Sequence, residues 1–395
     1  MIKNSISLLT FFIFGMALMF CAEQGVPPTL AVTKTIKASE TPQPTHTTQP
    51  TLTPTVTVTA MPVYRVIDEK TVDNLGIIYQ WDVDDIFFGS TSFWFSDSEQ
   101  FVLPVQKNSA SGIQSFSSEK FAESWFEQID YPSSVMVDKN EQVITYLHGL
   151  HIFDRQGKEA KTISTQDNCG KRLANYIVSI PESNLILTGH QDSYSDTGLN
   201  YTLDDKASLI IWNKDKNSCS ILLSAINGRL FSLSVSPDGR YIGYSFGIRS
   251  KETGYWKKYT EIYSLNLQKR TCQLEGYISV FSQQNQLAIY NLDTDTISLV
   301  TPSDCKEQIN FNVNIKLLAL SFSPNGDLLA GVSESIVNIW NVKTGEKLKE
   351  IDLQASLNNL PLIGFSPDSR FLVVTKNRAS PAEKDKVMLW GVLEK

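Results

Sequence analysis

The stretch "FSLSVSPDGRYIGYSF", residues 231–246, contains an apolar run, a Ser-Pro-Asp-Gly turn signal and a second apolar run. Alternation of apolar and small polar residues on both sides of a short turn is typical of two antiparallel strands. Pro237 presets φ at the first turn position, Asp238 tolerates turn geometry, and Gly239 supplies a positive φ. The stretch therefore predicts a β-hairpin.

Similar hairpins recur at "LSFSPNGDLLAGV" (320–332) and "IGFSPDSRFLVVT" (363–375). From about residue 62 the chain consists of short strands with turn signals between them, and no segment shows a long helical period. Alignment on the hairpin yields seven units, each with strands a, b, c and d. Their spacing is about 48 residues, within the period of roughly 40–50 expected for the blades of a β-propeller. Three units carry a tryptophan near the end of strand c: Trp212, Trp340 and Trp390.

A four-stranded meander cannot bury both of its faces alone, whereas radially stacked meanders bury the faces of one another. The repeats therefore predict an all-β fold, a β-propeller of seven four-stranded blades. After Trp390 only "GVLEK" remains, so the last unit lacks its own strand d. We predict that "PVYRVID" (62–68), an N-terminal strand, completes the last blade and closes the ring, which removes the open sheet edges.

The turn motif and the strand-c tryptophan resemble the WD-repeat family of β-propellers and its bacterial relatives, over nearly the whole chain from residue 62. The resemblance implies the fold and says almost nothing about function. The Gly-His pair of that family stands before strand a, whereas Gly189–His190 follows strand b here. The aspartate expected six residues before the tryptophan is Lys206, Glu334 or Lys384. The sequence is therefore WD-repeat-like, without the strict His–Asp pattern.

Residues 1–21, "MIKNSISLLTFFIFGMALMFC", contain one lysine and then an apolar run, which predicts an export signal. The end, "LMFC", resembles a bacterial lipoprotein signal with Cys21 as the lipidated residue. Phe20 departs from that pattern, since the preceding residue is normally small, so an uncleaved anchor or an ordinary secretory signal stay open. Residues 22–61 are predicted to be a disordered Thr/Pro-rich tether. All three alternatives place the propeller, 62–395, outside the cytoplasm. We predict that it is membrane-anchored, at the cell surface or in the periplasm.

The composition excludes some functions. The 395 residues carry a formal net charge of −7, and no basic footprint for nucleic acid stands out. No nucleophile triad, phosphate-binding loop or paired Cys-x-x-Cys motif occurs, so no catalytic residues and no cofactor are predicted. His148 and His151 could form half of a metal site, and Asp293 and Asp295 could bind calcium, but a hydrogen-bonded turn is the favoured interpretation of each pair. No metal is predicted.

Four cysteines fall within the propeller: Cys169, Cys219, Cys272 and Cys305. Equivalent outer positions of neighbouring blades are on the order of 15 Å apart, given ~4.8 Å between strands. A disulfide needs Cα atoms within about 7 Å. We therefore predict no bridges among these four residues.

In a meander the a–b and c–d turns share one face, and the b–c and d–a connections share the other. The longest insertions, 191–207, 247–260 and 376–386, fall on the second face. Long loops on a rigid scaffold often carry function, and exposed aromatic residues are typical binding anchors; the alternative is that these aromatics only pack the loops onto the rim. The candidate binding residues in the first two insertions are Tyr194, Tyr201, Tyr255, Trp256, Lys257, Lys258 and Tyr259.

These observations favour an interaction scaffold that binds a protein, a peptide or a glycan, anchored to the membrane only through its N-terminal segment and acting as a monomer. A hydrolase or lyase with its site at the central channel is the alternative, and a purely structural role in the envelope is a third. The inner strands, such as "LSVS" and "LSFS", are apolar and small, which favours packing over catalysis.

Overall fold

The computed structural model describes residues 62–87, 93–132, 134–164, 169, 174–191, 206–354, 361–378, 380 and 382–394. The chain divides into two units, Met1–Thr59 and Ala60–Lys395, and the described residues all belong to the second. In these ranges every regular element is a β-strand except a short 3₁₀ helix, Val72–Asn74. No helix in this part of the chain has the length and apolarity that a bilayer crossing requires.

The described strands form seven antiparallel sheets: six are four-stranded meanders of consecutive strands, and the seventh combines three C-terminal strands with strands from the N-terminal part of the described chain. The N-terminal strands and the first two blades are β1 (Tyr64–Arg65), β2 (Gly76–Val83), β3 (Asp85–Ile86), β4 (Gln100–Lys107), β5 (Ala110–Ser117), β6 (Ala122–Gln128), β7 (Val135–Val137), β8 (Val143–Tyr146), β9 (Gly149–Phe153) and β10 (Glu159–Ser164). The third and fourth blades are β11 (Ala174–Ser179), β12 (Leu185–Gln191), β13 (Lys206–Asn213), β14 (Ser218–Asn227), β15 (Arg229–Val235), β16 (Tyr241–Arg249), β17 (Trp256–Ser264) and β18 (Lys269–Glu275).

The fifth and sixth blades are β19 (Ile278–Phe281), β20 (Leu287–Asn291), β21 (Thr296–Val300), β22 (Glu307–Asn312), β23 (Ala319–Phe322), β24 (Leu328–Val332), β25 (Ile336–Asn341) and β26 (Lys347–Asp352). The seventh contains β27 (Ile363–Phe365), β28 (Phe371–Lys376) and β29 (Asp385–Leu393).

First strands of successive blades contact each other, as β15 does β19 and β19 does β23, so strand a lies innermost. The all-β propeller of seven four-stranded blades is confirmed.

The fourth strand of the seventh blade comes from the N-terminal part of the described chain. β2 pairs with β29 from Gly76↔Gly391 to Val83↔Asp385. The segment predicted for this position, 62–68, contributes only β1, which pairs Tyr64 with Leu393 and Arg65 with Val392. The prediction therefore missed β2, the longer of the two strands. That these pairs close the ring stays a prediction.

The Ser-Pro-Asp-Gly turn has the role predicted from the sequence. The Ser236 hydroxyl donates to Asp238 Oδ1 (2.6 Å) and accepts a hydrogen bond from the Tyr241 backbone N–H (2.9 Å). Gly239 has a φ of +68°. Because these bonds satisfy the turn internally, Asp238 is a structural residue of the a–b turn.

The core lies between the blades, where apolar residues of both neighbours interlock. Trp340, only 1% exposed, packs at the junction of blades five and six beside Phe311, with ring centroids 6.2 Å apart. Trp212 is fully buried at the junction of blades two and three, and its ring centroid lies 5.7 Å from that of Tyr146. Burial of such side chains stabilises the blade junctions by roughly 2–3 kcal/mol each.

In the third blade, side chains of a tryptophan, a threonine and a histidine are linked by hydrogen bonds. The Trp212 indole N–H donates to Thr188 Oγ1 (2.8 Å), which lies 2.7 Å from His190 Nε2. Thr188 and His190 both stand on β12, strand b of this blade. The displaced Gly-His pair thus places its histidine in a buried network within the blade.

The prediction that the four propeller cysteines form no bridges is wrong. Cys169 is bonded to Cys219, and Cys272 is bonded to Cys305, each with 6.2 Å between the Cα atoms. The first bridge ties the connection between blades two and three to the outer strand β14 of the third blade. The second ties β18 of the fourth blade to the c–d turn of the fifth.

The geometric estimate failed because it compared equivalent positions of outer strands. Cys305 precedes β22 in a turn, with a φ of +60°, and this turn leans against the preceding blade. There the Thr271 hydroxyl donates to the Pro302 carbonyl at 3.4 Å. Cys169 is 1% exposed and lies in the apolar core between its two blades. A turn or a connection can therefore cross the gap that separates equivalent strands.

Candidate interaction surface

The upper face of the propeller is defined here as the end that carries the b–c and d–a connections. In the fourth blade the predicted insertion, 247–260, is mostly strand. β16 runs to Arg249 and β17 begins at Trp256, with Arg249 paired to Trp256 and Gly247 paired to Lys258. The connection itself is limited to 250–255. It ends in Tyr255, whose side chain is 79% exposed.

The strand geometry separates candidate residues that are consecutive in the sequence. Side chains alternate between the two faces of a strand, so Trp256 and Lys258 share one face of β17 while Lys257 and Tyr259 share the other. The Tyr259 ring lies 5.9 Å from that of Phe246 and packs in the core shared with the third blade. Only the first pair faces the fifth blade.

An aromatic cluster with two cations forms where blades four and five meet on the upper face. The Phe231 ring stands edge-on to Trp256, with centroids 6.0 Å apart, and edge-on to Tyr277, at 5.8 Å. Lys258 Nζ lies 4.1 Å from the Tyr277 centroid and 5.7 Å from the Phe231 centroid. Arg229 Cζ lies 5.7 Å from the Phe231 centroid. We call these five residues the blade 4–5 patch.

Hydrogen bonds and one glycine hold the rings of the patch in place. The Tyr277 hydroxyl donates to the Leu317 carbonyl (2.5 Å), and burial raises the pKa of Tyr277 to about 12, so the donor proton is retained at neutral pH. A Cβ at Gly247 would come within 2.5 Å of the Phe231 ring and 3.1 Å of the Trp256 ring. Glycine at 247 therefore leaves the space in which Phe231 lies.

The electrostatics of the patch centre on Lys258, which is half-buried. Burial lowers the pKa of Lys258; the negative charge of Asp293 opposes this shift and the positive charge of Lys316 adds to it. Within the described part of the chain, no carboxylate forms an ion pair with Lys258, whereas Lys257 Nζ lies 3.7 Å from Glu275 Oε1. Lys258 instead contacts two aromatic faces, which attract a cation through their quadrupoles.

A cleft of about 380 Å³ opens on the outer side of the same junction. Apolar side chains of both blades, including Leu274, Ile289 and Val300, contribute to its wall, together with polar residues such as Asn310. Cys305 also lines it, so the second disulfide borders the cleft. Blades four and five thus offer both a cationic aromatic patch and a recess at one junction.

Two of the predicted binding residues, Tyr194 and Tyr201, lie outside the described residues. The third predicted insertion belongs to the seventh blade and not to this junction. Sequence reasoning missed Phe231, Tyr277 and Arg229. The first two precede, by five residues each, the serines that open the a–b turns of adjacent blades, Ser236 and Ser282. The repeat register could therefore have placed both aromatic rings side by side.

In the two candidate metal sites, side-chain atoms of His151 and Asp295 already form hydrogen bonds within the protein. His151 Nδ1 lies 2.8 Å from Glu159 Oε1, and its Nε2 lies 3.1 Å from the Leu147 carbonyl, so both ring nitrogens have protein partners. Asp295 accepts a hydrogen bond from the Tyr290 hydroxyl (3.0 Å) in a hairpin turn. In the part of the chain that the structure covers, no group of three or more His, Cys, Asp or Glu side chains could hold a metal ion.

Comparison with known proteins places the chain by its fold alone. No protein-family model and no curated protein matches the sequence. Among solved structures, a chain from the "Crystal Structure of Mitotic Checkpoint Complex" superposes with a TM-score of 0.60 and 11% identity, over 85% of this chain and 99% of that chain. This likeness concerns the fold, which is a seven-bladed β-propeller.

Proposed function

We propose that this chain is an extracytoplasmic interaction module, monomeric and anchored to the membrane through its N-terminal segment, that binds a protein partner on the upper face. The blade 4–5 patch is the observation that carries the proposal. Trp256, Phe231 and the highly exposed Tyr255 supply aromatic area beside positive charge, the composition that dominates binding energy in protein interfaces. A peptide or a glycan would use the same surface.

The fold and the inner strands support a binding role over catalysis. The superposed chain comes from a structure described as a complex, and connections held on a rigid scaffold often carry binding residues. In the innermost strands as described, from β3 to β27, the charged residues are Asp85 and Arg229. A channel hydrolase or lyase would need several convergent acids or bases there, so the channel offers that alternative little support.

The two disulfides support an oxidising location. Structural disulfides persist outside the cytoplasm and are rare within it. Together with the export-type segment 1–21, they favour a secreted or surface-held domain. Replacement of Cys21 by serine tests the anchor. The variant should no longer incorporate a labelled fatty acid, and it should disappear from the membrane fraction. Unchanged labelling of the variant would overturn lipidation at Cys21.

The binding proposal is tested by affinity capture from the native envelope with the wild-type propeller and a Trp256→Ala/Tyr255→Ala variant. We expect the variant to lose the captured partner while its melting temperature changes little, since Tyr255 is exposed and Trp256 is only half-buried. Leu267→Ala is the matched control, because Leu267 is 61% exposed on the opposite face of the same blade. Capture that survives in the variant, or is lost equally in the control, would contradict a partner site at the patch.

A further inference from the structure

The charge of the blade 4–5 patch is opposite to that of the whole molecule. The chain has a formal net charge of −7, whereas the patch contains Arg229 and Lys258. The exposed Lys316, in the connection between blades five and six, adds a third positive charge close enough to act on Lys258. Asp293 is the carboxylate that acts on Lys258 there. Such a local reversal of sign steers oppositely charged partners toward the surface and suppresses the wrong ones.

Lys258 is the half-buried cation of the patch, and no carboxylate of the described residues forms an ion pair with it. Its ammonium is partly removed from water, and its contacts are the faces of Tyr277 and Phe231 rather than a carboxylate of the described chain. Partial burial of a charge is unfavourable unless it is paired. Burial accordingly lowers the pKa of Lys258, and an incoming anion would reverse that shift.

We propose that the blade 4–5 patch recognises an acidic peptide segment, with an aspartate or glutamate carboxylate at Lys258 and a neighbouring apolar side chain against Phe231 and Trp256. This inference rests on the proposed function and names the partner chemistry. Cation and aromatic surface adjoin within about 6 Å, close to the ~7 Å between alternate residues of an extended peptide, whose side chains share one face.

The distribution of charge favours a peptide over other anions. Double-stranded nucleic acid carries one phosphate charge per ~1.7 Å of axis and needs a long basic track, whereas the cations here are confined to one junction. A highly sulfated glycan likewise needs a row of cations. A peptide with one or two carboxylates and an apolar neighbour matches the number and the mixture of groups.

The test selects binders from a displayed library of random twelve-residue peptides with the purified wild-type propeller. The affinities of the selected peptides are then measured for the Lys258→Gln, Lys257→Gln and Trp256→Ala variants. Lys257 is the matched control, because it is the adjacent lysine on the opposite face of β17. We expect wild-type binders to be enriched in Asp or Glu two positions from an apolar residue. Lys258→Gln should weaken them about tenfold, the loss of one contact to a charged group, and Lys257→Gln should change their affinity by less than about twofold.

The outcomes separate this inference from the proposed function. Binders that require Trp256 but show no acidic enrichment and are indifferent to Lys258→Gln would overturn the acidic-peptide inference and retain the binding face. The absence of any binder sensitive to Trp256→Ala would contradict the proposed function itself. In a parallel arm with heparin and uncharged dextran, tighter Lys258-dependent binding of heparin than of any selected peptide would overturn the peptide class.

Discussion

The ammonium of Lys214, in the c–d turn of the third blade, forms an ion pair with the carboxylate of Asp138 in the second blade, and their side chains are 8% and 2% exposed. The Gln142 side-chain oxygen accepts a second hydrogen bond from Lys214 Nζ at 3.1 Å. Asp138 Oδ1 also accepts from the backbone N–H groups of Asn140 and Gln142. The pair therefore links two blades on the lower face.

Lys214→Met should destabilise the propeller by about 3–5 kcal/mol, because it leaves the Asp138 charge buried without its cation. The double variant Lys214→Met/Asp138→Asn should recover much of that loss, since no buried charge then remains unpaired. Urea denaturation of the single and double variants measures both values. Equal loss in the two variants would show that Lys214 contributes through packing instead.

Both disulfides should be present in the native protein and should stabilise it. Thiol labelling of the denatured, unreduced propeller should leave Cys169, Cys219, Cys272 and Cys305 unmodified. Replacement of Cys272 and Cys305 together by serine should lower the free energy of unfolding by roughly 3–4 kcal/mol, from the entropy of the closed loop. Labelling of all four thiols would contradict the bridges.

The N-terminal strands should be required for cooperative folding. A chain that begins at residue 84 exposes the edge of β29 and loses Trp81, which packs 5.2 Å from Phe116 and 5.7 Å from Phe101, ring centroid to ring centroid. We expect this truncation to unfold at a markedly lower temperature and without a single sharp transition. A chain that begins at residue 62 is the control and should melt as the full chain does. Matching melts of the two truncations would refute ring closure by these strands.

Asp385 predicts a pH dependence. Burial raises the pKa of its carboxyl, the negative charge of Asp85 raises it further, and the backbone N–H groups of Arg378 and Ile86 act against both. The folded pKa of Asp385 lies above the unfolded value of about 3.9. Protonation of this carboxyl therefore stabilises the folded state, and the stabilisation is fully present below about pH 3.9. It is lost as pH rises through the folded pKa.

Asp85→Asn removes the neighbouring charge and should therefore raise the free energy of unfolding at pH 7, by roughly 1 kcal/mol or less. At pH 3, where the unfolded carboxyl is protonated, the gain should vanish. Denaturant titrations at the two pH values compare the variant with the wild type. A gain that is equal at both values would remove Asp385 as its cause.

The repeating turn made most of the fold predictable. Ser236, Asp238 and Gly239 perform in the structure what their residue types favour, and Trp212, Trp340 and Trp390 are buried as strand-c residues of a packed blade. Local turn chemistry and strand periodicity carry this information within a few residues. The repeat then extends it to every blade.

Contacts between blades were less predictable, because they depend on how turns and connections lean across a junction. Cys305 reaches Cys272 from a turn, which no comparison of equivalent strands could show. The candidate site followed the same pattern. The sequence predicts Trp256 and Lys258 as binding residues, but their partners are Phe231 in the inner strand β15 and Tyr277 directly before the inner strand β19. The sequence predicts an insertion over 247–260, in which neighbouring side chains could share a side, whereas most of this range is strand.

The two N-terminal strands differ greatly in length, and this has a mechanical consequence. Force applied on the N-terminal side of Tyr64 first meets the two pairs of β1 with β29. The next resistance is Ile67, whose side chain is fully buried and whose backbone N–H donates to the Ser369 carbonyl at 2.8 Å. The 3₁₀ helix follows, where Lys349 Nζ donates to the Asp73 carbonyl at 2.8 Å, and the last resistance is β2, with seven pairs. Under tension the two β1–β29 pairs would separate first and lengthen the chain, while β2 stays paired with β29 and keeps the seventh blade complete. Detachment of β1 would thus release tension before the force reaches the strands of the propeller blades.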